Sequence, residues 1–435
     1  MKNIVLLFSL ISYLGFSQHT ISGTFSPVEE YTYAFLYKAE PDGAVYIDKG
    51  KLDDNGNFSI ALDSTYPTGI YKIVYAIPPE ENNFDFIYNG KENIIFNFSL
   101  EKGLEFTESQ ENKLWTSYTK SIEMVNLTIS NFYQKESADE KAYIDIFKTL
   151  KDTQNAYEES TNGLLVSEFI KANRSYIPEG LEDISTYSSN LKNYYLKHID
   201  FSSPLLQSSD FLLDRIMGYV FGIAPNADNT TYKLLVDELA EAIGDNLSIK
   251  TSLLSLVWQR FVTIKNEELG LYMIDTHLLE LAKNANDQLL VESLSSFKSS
   301  ALGVKAADFS LTTTVNGEKV TSTLHELKDS EQYLLVFWSS TCGHCLEELP
   351  QFMAFMKDKP NTKIIAFALE DDPTNWQKEI INFPDFTHVI GLQKWDNPMA
   401  NAYNVKATPS YFILDKNKII VGKPEQLEDL KMMLK

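Results

Sequence analysis

Cys342 and Cys345 are the only cysteines among 435 residues, and they stand three apart in FWSSTCGHCLEELPQF, Phe337 to Phe352. A C-x-x-C where a buried strand meets a helix sets both sulfurs on the helix's first turn. That is close enough for a strained but feasible disulfide. Free backbone N–H groups and the positive end of the helix dipole stabilise a thiolate there. The cysteine nearer the helix start is the more exposed, so Cys342 is expected to attack a substrate disulfide and Cys345 to resolve the mixed disulfide. His344 lies between them, and an imidazole beside a thiolate lowers its pKa and favours the dithiol form; the alternative is an exposed residue without effect.

The elements around the pair set the fold expected of it. YLLVFW (Tyr333 to Trp338) reads as a buried strand running into the first cysteine, with a helix after it. TKIIAFAL follows as a second buried strand and Thr374 to Ile381 as a helix. Then come FTHVIGL, a short helix around Pro398 to Tyr403, strands SYFILD and KIIVG, and a closing helix from about Pro424. Strands alternating with helices and ending in a hairpin predict an α/β domain with one mixed sheet covered on both faces.

Upstream the periods differ. From His19 to about Leu104, TYAFLYKA, AVYIDKGKL, NFSIAL, IYKIVYAI, FDFIY and NIIFNFSL are short alternating runs broken by turn residues. They predict an all-β, sandwich-like domain over 19–104, with Asp53-Asp54-Asn55-Gly56-Asn57 as a hairpin turn. From Glu105 to about Ser300, Leu114, Tyr118, Val125, Ile129 and Phe132 recur at helical spacing, as do Tyr232, Leu235, Val236 and Leu239. Residues 105–300 are therefore expected to be an α-helical domain or connector, with Asp275 and Asn286 as helix N-caps. Its aromatic stripes could line a peptide groove or simply form core. The pattern shifts again near Ser299 to Gly303, which starts the α/β domain at 303–435.

Gly303 to Lys435 resembles the thioredoxin-like domains of the TlpA/ResA type, exported thiol–disulfide oxidoreductases. The lead-in GVKAADFSLTTTVNGEKVTSTLHEL is similar to theirs, with Ala307 where proline is usual. FWSSTCGHCLEELP matches their strand, active-site turn and helix, and Pro350 falls where the family kinks that helix. The resemblance implies that Pro409 in VKATPSYFILD is the cis-proline facing the disulfide, with Thr408 before it offering backbone to an extended substrate. It also implies a proton-transfer role for Glu348. Two positions depart: Thr341 stands where many relatives have tryptophan, and Val336 where thioredoxin itself has a buried acid. The Gly343-His344 dipeptide predicts a couple more oxidising than thioredoxin's. More weakly, the β-rich and helical segments resemble the region of unknown function that precedes some exported TlpA/ResA-like domains in Gram-negative bacteria.

Residues 1–18, MKNIVLLFSLISYLGFSQ, carry one charge, an apolar run and small residues Gly15 and Ser17, as expected of a cleaved secretory signal. The run is shorter than the roughly 20 residues a spanning helix needs, and no cysteine follows it to carry a lipid. The periphery so implied, periplasm or cell envelope, permits disulfides. Yet the chain has no spare cysteines for a scaffold. A net charge of −22 argues against nucleic acid and anionic membrane surfaces as partners. The expected partners are protein disulfides or dithiols and, from the family, a membrane electron donor, as in cytochrome c maturation. Zinc is a poor rival, because a structural site needs four ligands and His19, His198, His277, His325 and His388 show no partner spacing. A peroxiredoxin is another, but Leu335 and Ser339 replace the proline and threonine of its pattern. No phosphate loop, dinucleotide fingerprint or haem attachment motif appears, so the expected redox group is the Cys342–Cys345 disulfide alone. The serious alternative is an envelope binding or assembly protein whose first 300 residues supply the function.

Overall fold

A computed structural model describes residues 19–434 except 64, 225, 316 and 317. The expected signal segment, 1–18, lies outside the described residues. Among those described, no helix is long and apolar enough to cross a membrane. The chain divides into two compact units, Met1–Leu253 and Leu254–Lys435.

The first unit opens with eight strands: β1 (His19–Ser26), β2 (Tyr33–Glu40), β3 (Gly43–Lys51), β4 (Asn57–Leu62), β5 (Gly69–Val74), β6 (Asn83–Tyr88), β7 (Ile94–Ser99) and β8 (Gly103–Glu108). They form two four-stranded sheets, β4-β1-β7-β8 and β3-β2-β5-β6. Alternation puts Ile21, Phe25, Leu36, Phe58, Ile60, Tyr71, Phe86 and Phe96 into one shared core. The all-β expectation holds, with two corrections. The Asp53–Asn57 turn is not a hairpin, because β3 pairs with β2 while β4 pairs with β1; the turn carries the chain from one sheet to the other. Gly56 is required there, with φ at +78° and a Cβ that would lie 2.3 Å from the Phe25 carbonyl oxygen. Strand pairing also continues beyond Leu104, since Glu105 and Phe106 pair with Asn97 and Phe96.

Helices follow, from Gln110–Gln134 and Glu140–Ser160 to Asn229–Ile243. Tyr118, Ile129 and Phe132 are buried, as are Tyr232, Leu235, Val236 and Leu239, so the helical period marks a packed face. The N-caps expected at Asp275 and Asn286 are not caps. Asp275 sits in a π-helical turn, Ile274–Leu278, inside a continuous helix and pairs with Lys298 at 2.5 Å. Asn286 takes φ +55° after that helix ends, a left-handed residue of the kind that terminates helices. The next residue, Asp287, accepts the Leu290 N–H and caps helix Gln288–Ser299.

In the second unit the hairpin of β9 (Ser310–Val315) and β10 (Glu318–Thr323) precedes a five-stranded sheet. Its strands are β11 (Gln332–Trp338), β12 (Thr362–Glu370), β13 (Thr387–Leu392), β14 (Ser410–Asp415) and β15 (Ile420–Gly422), in the order β13-β12-β11-β14-β15. β11 pairs parallel with β12 and antiparallel with β14, the mixed sheet expected. Tyr333, Leu335 and Phe337 enter the core on one face, and Leu334, Val336 and Trp338 the core on the other. At about 1.5–3 kcal/mol for each fully buried apolar side chain, this strand anchors the unit. Glu267 ties the preceding helices to it, accepting the Leu302 N–H at 2.7 Å and pairing with Lys423 at 3.2 Å.

A buried amide on the first helix closes one edge of the sandwich. Asn112 Oδ1 accepts the Ile87 N–H and its Nδ2 donates to the Ile87 carbonyl, each at 2.8 Å. Ile87 lies on β6, an edge strand, so the amide stands in for a further strand. Asn112→Ala should therefore strand both backbone groups and destabilise the first unit by about 2–4 kcal/mol. Urea unfolding of the full chain followed by circular dichroism would measure it, and a change under about 0.5 kcal/mol would contradict this role.

Candidate active site

β11 ends at Trp338, and after four residues, Ser339 to Cys342, the chain enters helix Gly343–Met356. Cys342 is its N-cap, with extended φ/ψ of −91° and 114°, and its Sγ accepts the Cys345 N–H at 3.4 Å. Side-chain oxygens usually fill this place; here a sulfur does. Cys342 Sγ–H also faces the Thr408 carbonyl oxygen, 3.4 Å away.

The two thiols differ sharply. Cys342 is half-buried and Cys345 fully buried. Burial would raise Cys342, but hydrogen bonds with Cys345, Thr408 and the His344 backbone outweigh it and hold the thiol below its usual value. Cys345 packs with Trp338, Leu349 and Phe352. Burial, reinforced by the hydrogen bond to Cys342, pushes its pKa up to about 12. A half-buried thiol held below its usual pKa beside a fully buried one held above it suits a nucleophile and a resolving group.

The remaining sequence-predicted residues fall around this pair. Gly343 and His344 are exposed in the first turn. A Cβ on Gly343 would meet nothing within 4 Å, so no steric need explains that glycine. The Thr408–Pro409 peptide is cis, and both residues are half-buried beside Cys342. Glu348 is half-buried one turn beyond Cys345, and its Oε1 accepts the Tyr411 hydroxyl at 2.7 Å. Burial and then Glu348 push the Tyr411 hydroxyl above the usual phenol range, with a smaller contribution from Cys345. Tyr411 pairs in register with Val336, so a tyrosine–carboxylate pair is built where the departure at Val336 left no acid on the strand.

Sequence reasoning missed Tyr411, read only as part of a strand, and Glu370. Glu370 ends β12 and is only 2% exposed. Its carboxylate accepts the Ser340 N–H at 2.5 Å and the Ser339 hydroxyl at 3.4 Å. Ser339 in turn accepts the Cys342 N–H through its carbonyl at 3.2 Å. The loop that presents Cys342 is thus pinned from the neighbouring strand. The signal was an acid closing an otherwise apolar strand, two residues beyond Ala368, the partner of Trp338. Side chains at the carboxyl ends of parallel strands gather at the site.

Residues 301–429 match the Redoxin family. No match emerges among curated proteins. Among solved structures, a thioredoxin-like protein from Bacteroides caccae aligns over 60% of this chain and 96% of its own, at 16% identity and TM-score 0.42. A domain of a possible thiol-disulfide isomerase from Cytophaga hutchinsonii aligns over 31% and 90%, at 28% identity and TM-score 0.26. A thiol-disulfide oxidoreductase from Bacteroides fragilis aligns over 30% and 96%, at 23% identity and TM-score 0.26. With strand, cysteine turn, helix and proline loop in thioredoxin-like order and residues 301–429 matching the Redoxin family, the C-terminal part of this chain is a thioredoxin-like oxidoreductase domain.

Proposed function

We propose that this protein is a thiol–disulfide oxidoreductase of the cell envelope that reduces protein disulfides through Cys342 and Cys345. The observation that carries the reading is the asymmetry of the thiols: Cys342 held below the usual value by hydrogen bonds, Cys345 pushed up to about 12 by burial. The Cys342 thiolate attacks one sulfur of a substrate disulfide, forming a mixed disulfide and releasing the other sulfur as a thiolate that takes up a proton. Cys345 then loses its proton and attacks Cys342 Sγ. The Cys342–Cys345 bond forms, the second substrate thiol leaves, and two electrons have passed to the substrate.

Thr408 and Pro409 would meet the substrate chain, since the Thr408 carbonyl already touches the attacking sulfur. Glu348, joined to Tyr411, would receive the Cys345 proton. Turnover as a reductase needs an external dithiol donor, and the resemblance points to one in the membrane. The leader-like residues 1–18 support the envelope location.

Three outcomes are expected. Iodoacetamide should modify reduced Cys342 with a pH midpoint below the roughly 8.5 of a free thiol, while Cys345 stays unreactive to above about pH 10, as its pKa near 12 requires. Faster labelling of Cys345 would reverse the assigned roles. Equilibration in glutathione or dithiothreitol buffers should give one reversible two-electron transition at a potential above thioredoxin's roughly −270 mV. A value at or below that removes the tuning role of Gly343 and His344, and failure to form the intramolecular bond removes the catalytic reading. Glu348→Gln should slow the resolving step and change its pH dependence; an unchanged profile would exclude Glu348 from proton transfer. If a variant with both cysteines changed to serine kept full function in the cell, a binding or assembly role would be favoured instead.

A further inference from the structure

The helical part of the first unit forms a half-open cavity of about 550 Å3, within the roughly 300–1,000 Å3 typical of small-molecule sites. Its wall is rich in tyrosine: Tyr133, Tyr176, Tyr187, Tyr194 and Tyr195. Most of their hydroxyls are already engaged. Tyr133 meets Tyr143 at 3.0 Å, Tyr176 donates to Glu182 at 2.7 Å, and Tyr194 meets His198 Nε2 at 2.8 Å. To a ligand these residues offer ring faces and edges. Ile184 and Leu191, 60% and 36% exposed, line the same cavity from helix Ile184–Tyr194.

Two arginines also line it, and they differ. Arg174 is paired through Nε and Nη2 with the Glu158 carboxylate. Arg215 has no carboxylate partner among the described residues, in a chain that carries 60 acidic residues. Its guanidinium lies 3.7 Å from the Tyr195 ring centre, donates to the Tyr195 carbonyl at 2.5 Å and reaches Asn173 Oδ1 at 3.4 Å. Its Nε is buried without any hydrogen-bond partner. A desolvated guanidinium left short of acceptors beside aromatic walls is unfavourable until an anion arrives. A carboxylate presents two planar oxygens that match a guanidinium fork.

We propose that this cavity binds a carboxylate carried on an aromatic body, with Arg215 as the carboxylate's partner and the tyrosine rings as the walls for the rest. The C-terminus of a peptide ending in aromatic residues and a free aromatic acid share this chemistry. The site is independent of the thiol pair and does not rest on the redox reading.

Calorimetric titration of the full chain tests it, with N-acetyl-phenylalanyl-phenylalanine, its C-terminal amide and 3-phenylpropionate as probes. The peptide acid should bind at least about tenfold more tightly than its amide, the factor expected of one charge-assisted contact. Arg215→Gln should erase that difference. Ser188→Trp, at an exposed position lining the cavity, should weaken the acid without touching Arg215. Binding of the peptide acid alone identifies a peptide end as the ligand source; binding of 3-phenylpropionate as well identifies aromatic acids generally. The double cysteine-to-serine variant should bind as the wild type does. No heat with either acid, equal affinity for acid and amide, or full retention of acid binding in Ser188→Trp would overturn the proposal. Should Arg215→Gln prove unfolded by circular dichroism, the acid–amide comparison and Ser188→Trp still decide it.

Discussion

Helix Gly343–Met356 is capped by a sulfur, and the geometry of the site depends on that contact. The N–H of Cys345 points to Cys342 Sγ at 3.4 Å, which fixes the first thiol at the open end of the helix and the second underneath it. A helix start leaves backbone donors unsatisfied. A thiolate is a better acceptor for them than a thiol, so the cap lowers the pKa of the outer cysteine while burial raises that of the inner one. The same three-residue spacing therefore produces both members of an unequal pair. Two equally exposed thiols would offer no reason for one to attack first.

A cap of this kind is useful only if the loop leading to it is rigid, and the sheet supplies the rigidity. β11 is buried on both faces and lies between β12 and β14. Each neighbour contributes one group at its level. β12 ends in Glu370, whose carboxylate holds the Ser339–Ser340 segment. β14 brings Tyr411, in register with Val336 and bonded to Glu348 on the helix. Just before β14, Thr408 places its carbonyl against Cys342. A carboxylate as buried as Glu370 costs free energy unless its oxygens are used. Here they meet a backbone N–H and a hydroxyl of the very loop that must not move.

Much of this was legible in the sequence because local patterns and tertiary demands agree. YLLVFW and TKIIAFAL are continuous apolar runs of the length a doubly covered strand needs, and C-x-x-C where YLLVFW meets the following helix points to thiol chemistry. What escaped depends on pairing partners that lie far apart in the chain. The Asp53–Asn57 turn has the residues of a hairpin, yet nothing local states that β3 belongs with β2 and β4 with β1. Asn286 and Asp287 are both residues that favour helix ends; only the φ of +55° at Asn286 assigns one to terminating a helix and the other to starting the next. Glu370 and Tyr411 looked like strand residues because their function lies in what β11 brings beside them, and register is not written in either strand alone.

Both cysteines lie in the second unit, so the first is held together without a disulfide of its own. Under the proposed attack of Cys342 on disulfides, a structural disulfide elsewhere would be a substrate of the same site. Cohesion must then come from non-covalent packing. In the sandwich core Phe25 lies 5.1–5.9 Å, centre to centre, from Tyr31, Phe58, Tyr75, Phe96 and Phe98. Aromatic side chains bury the most area per residue and gain further from edge and tilted contacts. At the junction with the helices, Asn112 serves both backbone groups of Ile87, and Glu111 accepts the Val166 N–H at 2.8 Å and the Asn89 amide at 3.1 Å. Dense aromatic packing, with side chains such as Asn112 and Glu111 meeting backbone groups at the junction, does the stabilising that disulfides supply in many small secreted domains.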